Sequence, residues 1–418
     1  MTAARRVPAC DGPVRAGFMP LVDAAPLVAA SRLGFAGEEG LSIELLRETS
    51  WATLRDRMAV RHLDAAHMLA PMPIADSLGL TPLPIGLVVP MALGFGGNTI
   101  TVSASLGRDL AAEGAPETGE AAATASAMAR VVASRRWSGR PRLTFAIVHP
   151  YSAHHYQLAY WLGWASIQPS ADVDLVVLPP PLMTAALAGG QIDGFCVGEP
   201  WGSVAVLEGA GRILTTSAHI WGQAPEKVLG VNRAFADESA ERMARLVRAV
   251  HRAASWCDDP ANHRDLAQLL AEPSHIDQPA EVIRAALSRR PGAPVGEVTA
   301  GPGFLAFSSD AATFPWRSHA AWFYAQMVRW GQARLDASLA ARAADVYRPD
   351  IYRAALAPLG EAAPTEDFKI EGALGRTGAT AAPDGILAAE LNAFFDGRTF
   401  DCRDIGGYLS QFIGARAP

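Results

Sequence analysis

Gln191-Ile192-Asp193-Gly194-Phe195-Cys196-Val197-Gly198-Glu199-Pro200-Trp201 reads as the close of one helix, a short buried strand and the opening of the next helix. His62-Leu63-Asp64-Ala65-Ala66-His67-Met68-Leu69-Ala70-Pro71 repeats its frame. Both copies carry an apolar-Asp-small triplet, Leu63-Asp64-Ala65 and Ile192-Asp193-Gly194, and in both a Pro, Pro71 and Pro200, follows the Asp at the same spacing. Pro is tolerated in the first turn of a helix, so each copy predicts strand, turn and helix. One unit built twice predicts two similar lobes, and two lobes enclose a cleft.

The rest of the chain fits an α/β protein of that kind. At 418 residues it is long enough for two or three domains, and half of it is hydrophobic. Strands are predicted at Val14–Phe18, Leu41–Arg47, Leu63–Leu69 and Pro84–Leu93, with helices over Ala24–Leu33 and Trp51–Val60 between them. A second series runs through strands Thr99–Ser103, Leu143–Val148, Asp174–Leu178 and Ile192–Val197, with helices Met128–Ser134, His154–Trp164 and Leu182–Ala188 and a loop at Glu113–Glu120. Val228–Val231 reads as a strand returning to the first lobe, followed by helical patterns at Ala240–Trp256, His263–Leu270, Ala280–Ser288 and Ala320–Ala337 that should pack on the outside of a finished sheet. The expected division is a tail at 1–13, a first lobe at 14–97, a second at 98–227, and a return with a helical extension at 228–418, in which Gly372–Gly385 reads as a loop.

Bulk properties exclude several roles. A net charge of -6 and a pI near 5.9 argue against a basic nucleic-acid surface over the whole molecule. Cys10, Cys196, Cys257 and Cys402 form no CxxC pair, so neither a zinc site nor any other metal site is assigned. No apolar run is long enough to span a membrane, and no signal-peptide pattern precedes Val14, so the expected location is cytoplasmic. Walker, GxSxG, HExxH and post-strand GxGxxG motifs are absent, so no catalytic residue, cofactor or enzymatic activity is assigned.

Polar side chains at strand-to-helix junctions are the candidates for ligand contact, because α/β proteins place ligands at that edge of the sheet. Trp51 follows Ser50, whose hydroxyl is a natural helix cap, and the indole N–H can donate to an anion. His154 and His155 open a helix after Pro150-Tyr151-Ser152, where free N–H groups and the helix dipole favour negative charge. Lys227, in Ala224-Pro225-Glu226-Lys227-Val228, precedes the return strand at the junction of the lobes. Glu199, itself an anion, reads as structural or interlobe.

Together these stretches resemble a known family. Gly17-Phe18-Met19-Pro20-Leu21-Val22-Asp23, Ser50-Trp51-Ala52, Leu63 to Pro73, Val197-Gly198-Glu199-Pro200-Trp201 and Ile220-Trp221 through Val228 are similar to the nitrate- and bicarbonate-binding proteins of ABC importers, and Phe394-Phe395-Asp396-Gly397 resembles that family's tail. The resemblance implies a type II periplasmic-binding-protein fold closing on a small oxyanion, with Trp51, His154 and Lys227 as ligand contacts. It places an amide ligand near the first strand of the second lobe, where this chain offers Thr101 and Ser103, and it favours Gln where this chain has His67. The chain also looks like the cytoplasmic NasS-like branch, nitrate or nitrite sensors that hold an ANTAR-type RNA-binding antiterminator and touch neither RNA nor membrane themselves.

Overall fold

The computed structural model describes residues 12–287, 304–372, 380–382, 385–387 and 392–412. Its first sheet contains β1 (Val14–Phe18), β2 (Ile43–Arg47), β3 (Ala65–Leu69), β4 (Leu87–Ala92) and, from far along the chain, β11 (Lys227–Asn232), in the order β2-β1-β3-β11-β4. Between them come β5 (Phe95–Gly96) and the strands of the second sheet: β6 (Asn98–Ser103), β7 (Leu143–Ile147), β8 (Val173–Val177), β9 (Gly194–Gly198) and β10 (Gly211–Thr216), ordered β10-β6-β9-β7-β8. The two sheets share one plan. β1 pairs in parallel with β2 and β3 as β7 does with β8 and β9. An antiparallel strand then joins β3 or β9 to the edge, β11 in the first sheet and β6 in the second.

The repeated frame occupies equivalent places in this plan, at the start of β3 and of β9. Its aspartates do the same local work. Asp64 Oδ2 accepts from the Arg15 backbone N–H at 2.9 Å, and Asp193 Oδ2 accepts from that of Thr144 at 2.8 Å. Each thereby satisfies a donor at the start of the central parallel strand, which would otherwise lie unpaired at the sheet's end. Pro71 opens helix Pro71–Ser77, and Pro200 caps helix Trp201–Leu207 after a cis Glu199–Pro200 bond.

The chain crosses between the sheets twice, and the crossings lie side by side: Gly96 N donates to Ala224 O at 2.9 Å, and Phe95 bridges to Pro225. Lys227, assigned by sequence to the end of the second lobe, is the first residue of β11 and so belongs to the first sheet. The strand predicted at Pro84–Leu93 stays in the first sheet beside β11, and the first crossing comes after it.

Helix Ala240–Asp258 packs along helix Ala25–Arg32, and its Leu246 and Val250 share a core with Val14, Ala16 and Phe18 of β1. Its apolar residues recur at helical spacing, which gives the buried stripe. The expected helix Ala320–Ala337 is two helices: Arg317–Arg329 ends before Gly331, which takes a positive φ of 73°, and Asp336 caps a new helix at Ala337–Asp345. Helix Ala104–Ala112 lies where no helix was expected, and the expected helix Met128–Ser134 extends to Ala121–Trp137, its first turn capped by the Glu120 carboxylate. The extension holds both lobes. Val89 N of β4 donates to Val346 O, whereas Phe394 and Trp322 pack at tilted angles on Trp221 of the second lobe. Most of the 1–13 tail, the Ser288 end of the helix that spans Ala280–Leu287, Cys10, and most of Gly372–Gly385 lie outside the described residues. Within the last stretch, Thr380–Ala382 pairs antiparallel with Gly385–Leu387.

Candidate functional site

Lys227 stands where β11 leaves the crossing, and its side chain is fully enclosed between the lobes. Its ammonium donates to Asp23 Oδ2 at 2.7 Å and to Glu226 Oε1, and it lies 5.7 Å from the centre of the Trp51 ring. Two of three N–H groups are thus taken. Asp23 sits in the short helical turn Val22–Ala24 that follows β1 and is fixed from its other side by His67, whose Nε2 lies 2.8 Å from Asp23 Oδ1. Met19 N–H points at His67 Nδ1 at 3.5 Å, so a neutral imidazole with its proton on Nε2 matches both contacts.

Glu226 ties this cluster to the second lobe. Its Oε2 accepts from Asn98 Nδ2 at 2.5 Å, and the same amide group reaches Gln157 Oε1 at 2.9 Å. Asn98 opens β6, and Gln157 lies one turn into helix Ala153–Trp164. That helix starts at Ser152, whose hydroxyl accepts from His155 N, and it presents His154 to the cleft with Nε2 3.3 Å from Glu226 Oε1. The two groups are close but not aligned for a hydrogen bond, and both ring nitrogens of His154 lack a hydrogen-bond partner. Trp51 Nε1 is in the same position: the indole is buried beside His67, 5.6 Å between ring centres, and its N–H meets no acceptor. Gly198, the last residue of β9, closes the floor. A Cβ there would stand 3.2 Å from Asp23 Oδ2 and 3.5 Å from Asn98 Oδ1.

Electrostatics follow from this packing. Burial pushes the Asp23 carboxyl up, but Lys227 and His67 more than reverse it, and Asp23 is held well below the usual carboxylate range. Burial disfavours the Lys227 charge, yet the two carboxylates together raise its pKa. Glu226 is the member left short of compensation: burial and the nearby Asp23 charge outweigh Lys227 and Asn98 and push it up to about 7. Burial lowers His67, and burial with the Lys227 charge lowers His154 well below the ordinary histidine value, so both rings are neutral at pH 7. Such a cluster offers an incoming molecule several N–H donors and one cation.

Of the residues singled out by sequence, Trp51, His154, Lys227 and His67 come together here. His67 faces Asp23 and steadies it. Thr101 and Ser103 do not join them. Thr101 is buried under helix Trp201–Leu207 with its hydroxyl 3.3 Å from that of Thr99, and Ser103 caps helix Ala104–Ala112. Ser103 lies at the other end of β6, roughly 17 Å from Asn98 at the rise of an extended strand. An amide does stand on that strand, Asn98 at its start, with its Nδ2 held by Glu226 and Gln157. Asp23, Glu226, Asn98 and Gln157 were not selected from sequence, although Asp23 and Glu226 lie inside stretches that carry the family resemblance. Glu199 is buried, with its carboxylate accepting from the N–H and hydroxyl of Ser203, and its backbone C=O accepts from Val22 N–H of the first lobe at 2.8 Å. Trp201 Nε1 likewise donates across the cleft to Pro20 O at 3.1 Å. The lobes are therefore closed on one another.

Two lobes of like topology, joined by adjacent crossings and meeting on a buried polar cluster, define the type II periplasmic-binding-protein class. The chain belongs to the NMT1-like family, whose profile matches residues 9–271. It is 30% identical to the nitrate/nitrite binding protein NrtA of Synechococcus elongatus, over 95% of this chain and 85% of that one. The crystal structure of the periplasmic nitrate-binding protein NrtA from Synechocystis PCC 6803 superimposes with a TM-score of 0.81 at 26% identity, covering 96% of this chain and 98% of that one. A third relative, the nitrate import ATP-binding protein NrtC of Synechocystis, is 35% identical over 95% of this chain, which spans only about half (54%) of NrtC.

Proposed function

We propose that the protein binds nitrate or nitrite in the closed cleft, through the Trp51 indole N–H, His154 and the remaining N–H of Lys227, and that it has no enzymatic activity. The observation that carries this reading is a pair of buried N–H donors, on Trp51 and His154, that meet no acceptor. A neutral imidazole always has one N–H, so His154 and Trp51 each bury a donor without an acceptor. Leaving a buried donor unpaired costs about 1–3 kcal/mol. Nitrate is acceptor-only, planar and singly charged, and relieves this cost at both positions. The names of the relatives, nitrate/nitrite binding protein and nitrate-binding protein, support the same ligand. A thermal-shift panel of nitrate, nitrite, bicarbonate and a sulfonate tests it. Ligand at roughly 100 times its Kd stabilises the folded form by about 2.7 kcal/mol, and a panel with no shift refutes the oxyanion reading.

In its physiological role we propose a cytoplasmic sensor of the NasS-like kind. The partner, an ANTAR-type antiterminator, is held by the ligand-free form and released when the anion stabilises closure. The likeness to nitrate/nitrite binding proteins supports the ligand that this role requires. A second reading, the solute-binding component of a nitrate or bicarbonate ABC importer, is favoured by the binding and import names of the relatives. Pull-down from native cells with and without nitrate separates them. Nitrate-sensitive capture of an RNA-binding regulator supports the sensor, and capture of a membrane permease supports the importer.

A further inference from the structure

The cluster that would receive the anion already holds two carboxylates against a single lysine. Asp23 and Lys227 cancel, so with Glu226 ionised the buried group carries one negative charge before any ligand enters. Among the described residues the groups around Glu226 are Lys227, the next residue and the first of β11, Asn98 on β6, His154 on helix Ala153–Trp164, Asp23 on the turn Val22–Ala24 and the buried thiol of Cys196 on β9, with Gln157 and His67 one step away on Asn98 and Asp23. Of these only Lys227 is a cation, and it is shared with Asp23.

From this geometry we infer that Glu226 sets the charge of the site, and that the protein takes up its anion together with one proton, held on the Glu226 carboxyl. The inference rests on the anion reading above. The proton comes from solvent and no covalent bond in the ligand changes. Glu226 Oε1 lies 3.3 Å from His154 Nε2. Protonation of Glu226 therefore removes a repelling charge beside the His154 ring. Glu226 titrates near pH 7 in the ligand-free cluster, which makes the proton available under ordinary conditions. His154 and His67 are held neutral in the same surroundings and do not compete for it.

Titration calorimetry with sodium nitrate between pH 6 and 9, in phosphate and in Tris, tests the coupling on the full chain. The expected result is close to one proton taken up per nitrate at pH 8 to 9, and a Kd that rises about tenfold per pH unit above pH 7. In Glu226→Gln, a neutral near-isostere, the pH dependence is lost and nitrate binds more tightly at pH 9 than it does to the parent protein. In His154→Asn the proton uptake persists although affinity falls. Nitrate binding with no proton uptake and a flat Kd overturns the inference while leaving the anion reading intact. Loss of uptake in His154→Asn, with uptake retained in Glu226→Gln, overturns it by assigning the proton to the histidine. Failure of nitrate to bind at any pH overturns both.

Discussion

Trp51→Phe separates a binding role from a packing role, because the two move stability and affinity differently. The substitution keeps an aromatic ring beside His67 and Lys227 and deletes the one polar atom of the side chain, Nε1, which is buried without an acceptor. In the ligand-free protein that deletion removes a desolvation cost of about 1–3 kcal/mol. It also leaves a small void where the five-membered ring stood, which costs about 1–2 kcal/mol by the usual scaling of core truncations. The two offset, and the ligand-free variant should match the parent within about 1 kcal/mol in urea denaturation. Nitrate binding behaves otherwise. A hydrogen bond to an anion contributes about 1.5–3 kcal/mol, so Kd should rise roughly ten- to a hundredfold in calorimetry. A variant that is clearly destabilised yet binds nitrate within twofold of the parent would make Trp51 a packing residue and refute its place in the site.

Other perturbations follow from the same cluster. Lys227→Met removes the cation between Asp23 and Glu226 and leaves buried carboxylates uncompensated. Destabilisation of about 3–5 kcal/mol and loss of nitrate binding are expected, and a stable variant that still binds would contradict the assignment. The Asp23 carboxyl is held below its unfolded value, so its contribution is present above pH 4 or so and is lost as pH falls through the folded value; Asp23→Asn should flatten the acid limb of a stability–pH curve. Glu226 has the opposite sign. Its folded value is raised from 4.5 to about 7, so ligand-free stability should decline as pH rises across that window, and Glu226→Gln should abolish the decline. Gly198→Ala places a methyl group 3.2 Å from Asp23 Oδ2 and should weaken nitrate binding with little loss of secondary structure by circular dichroism.

Local chemistry determined much of this protein before any tertiary contact is considered. Alternating strand and helix patterns, the paired Asp-to-Pro frames and the Pro-opened helices depend on neighbours within a few residues, so the two-lobed α/β plan is legible from residues such as Asp64, Asp193, Pro71 and Pro200. Ser50 and Ser152 likewise mark helix starts through caps formed three residues away. Weak periodicity hid helix Ala104–Ala112 and the ends of Ala121–Trp137, of which only Met128–Ser134 was legible, because their alanines and small polar residues carry little apolar contrast.

What only the tertiary structure decided is the company each candidate keeps. Asp23 and Lys227 are 204 positions apart and Asn98 and Glu226 are 128 apart, so no spacing rule joins them. Ser103 and Asn98 lie on one strand, yet opposite ends of that strand face a helix cap and the cleft. Gln191 to Trp201 shows the same division. Its sequence specifies a strand, a turn and a helix, whereas the fold brings Gly198 under Asp23 and sets Glu199 and Trp201 against the first lobe. Hydrogen-bonding needs within a segment are local, but charge compensation in a buried cluster is a sum over every element that meets there.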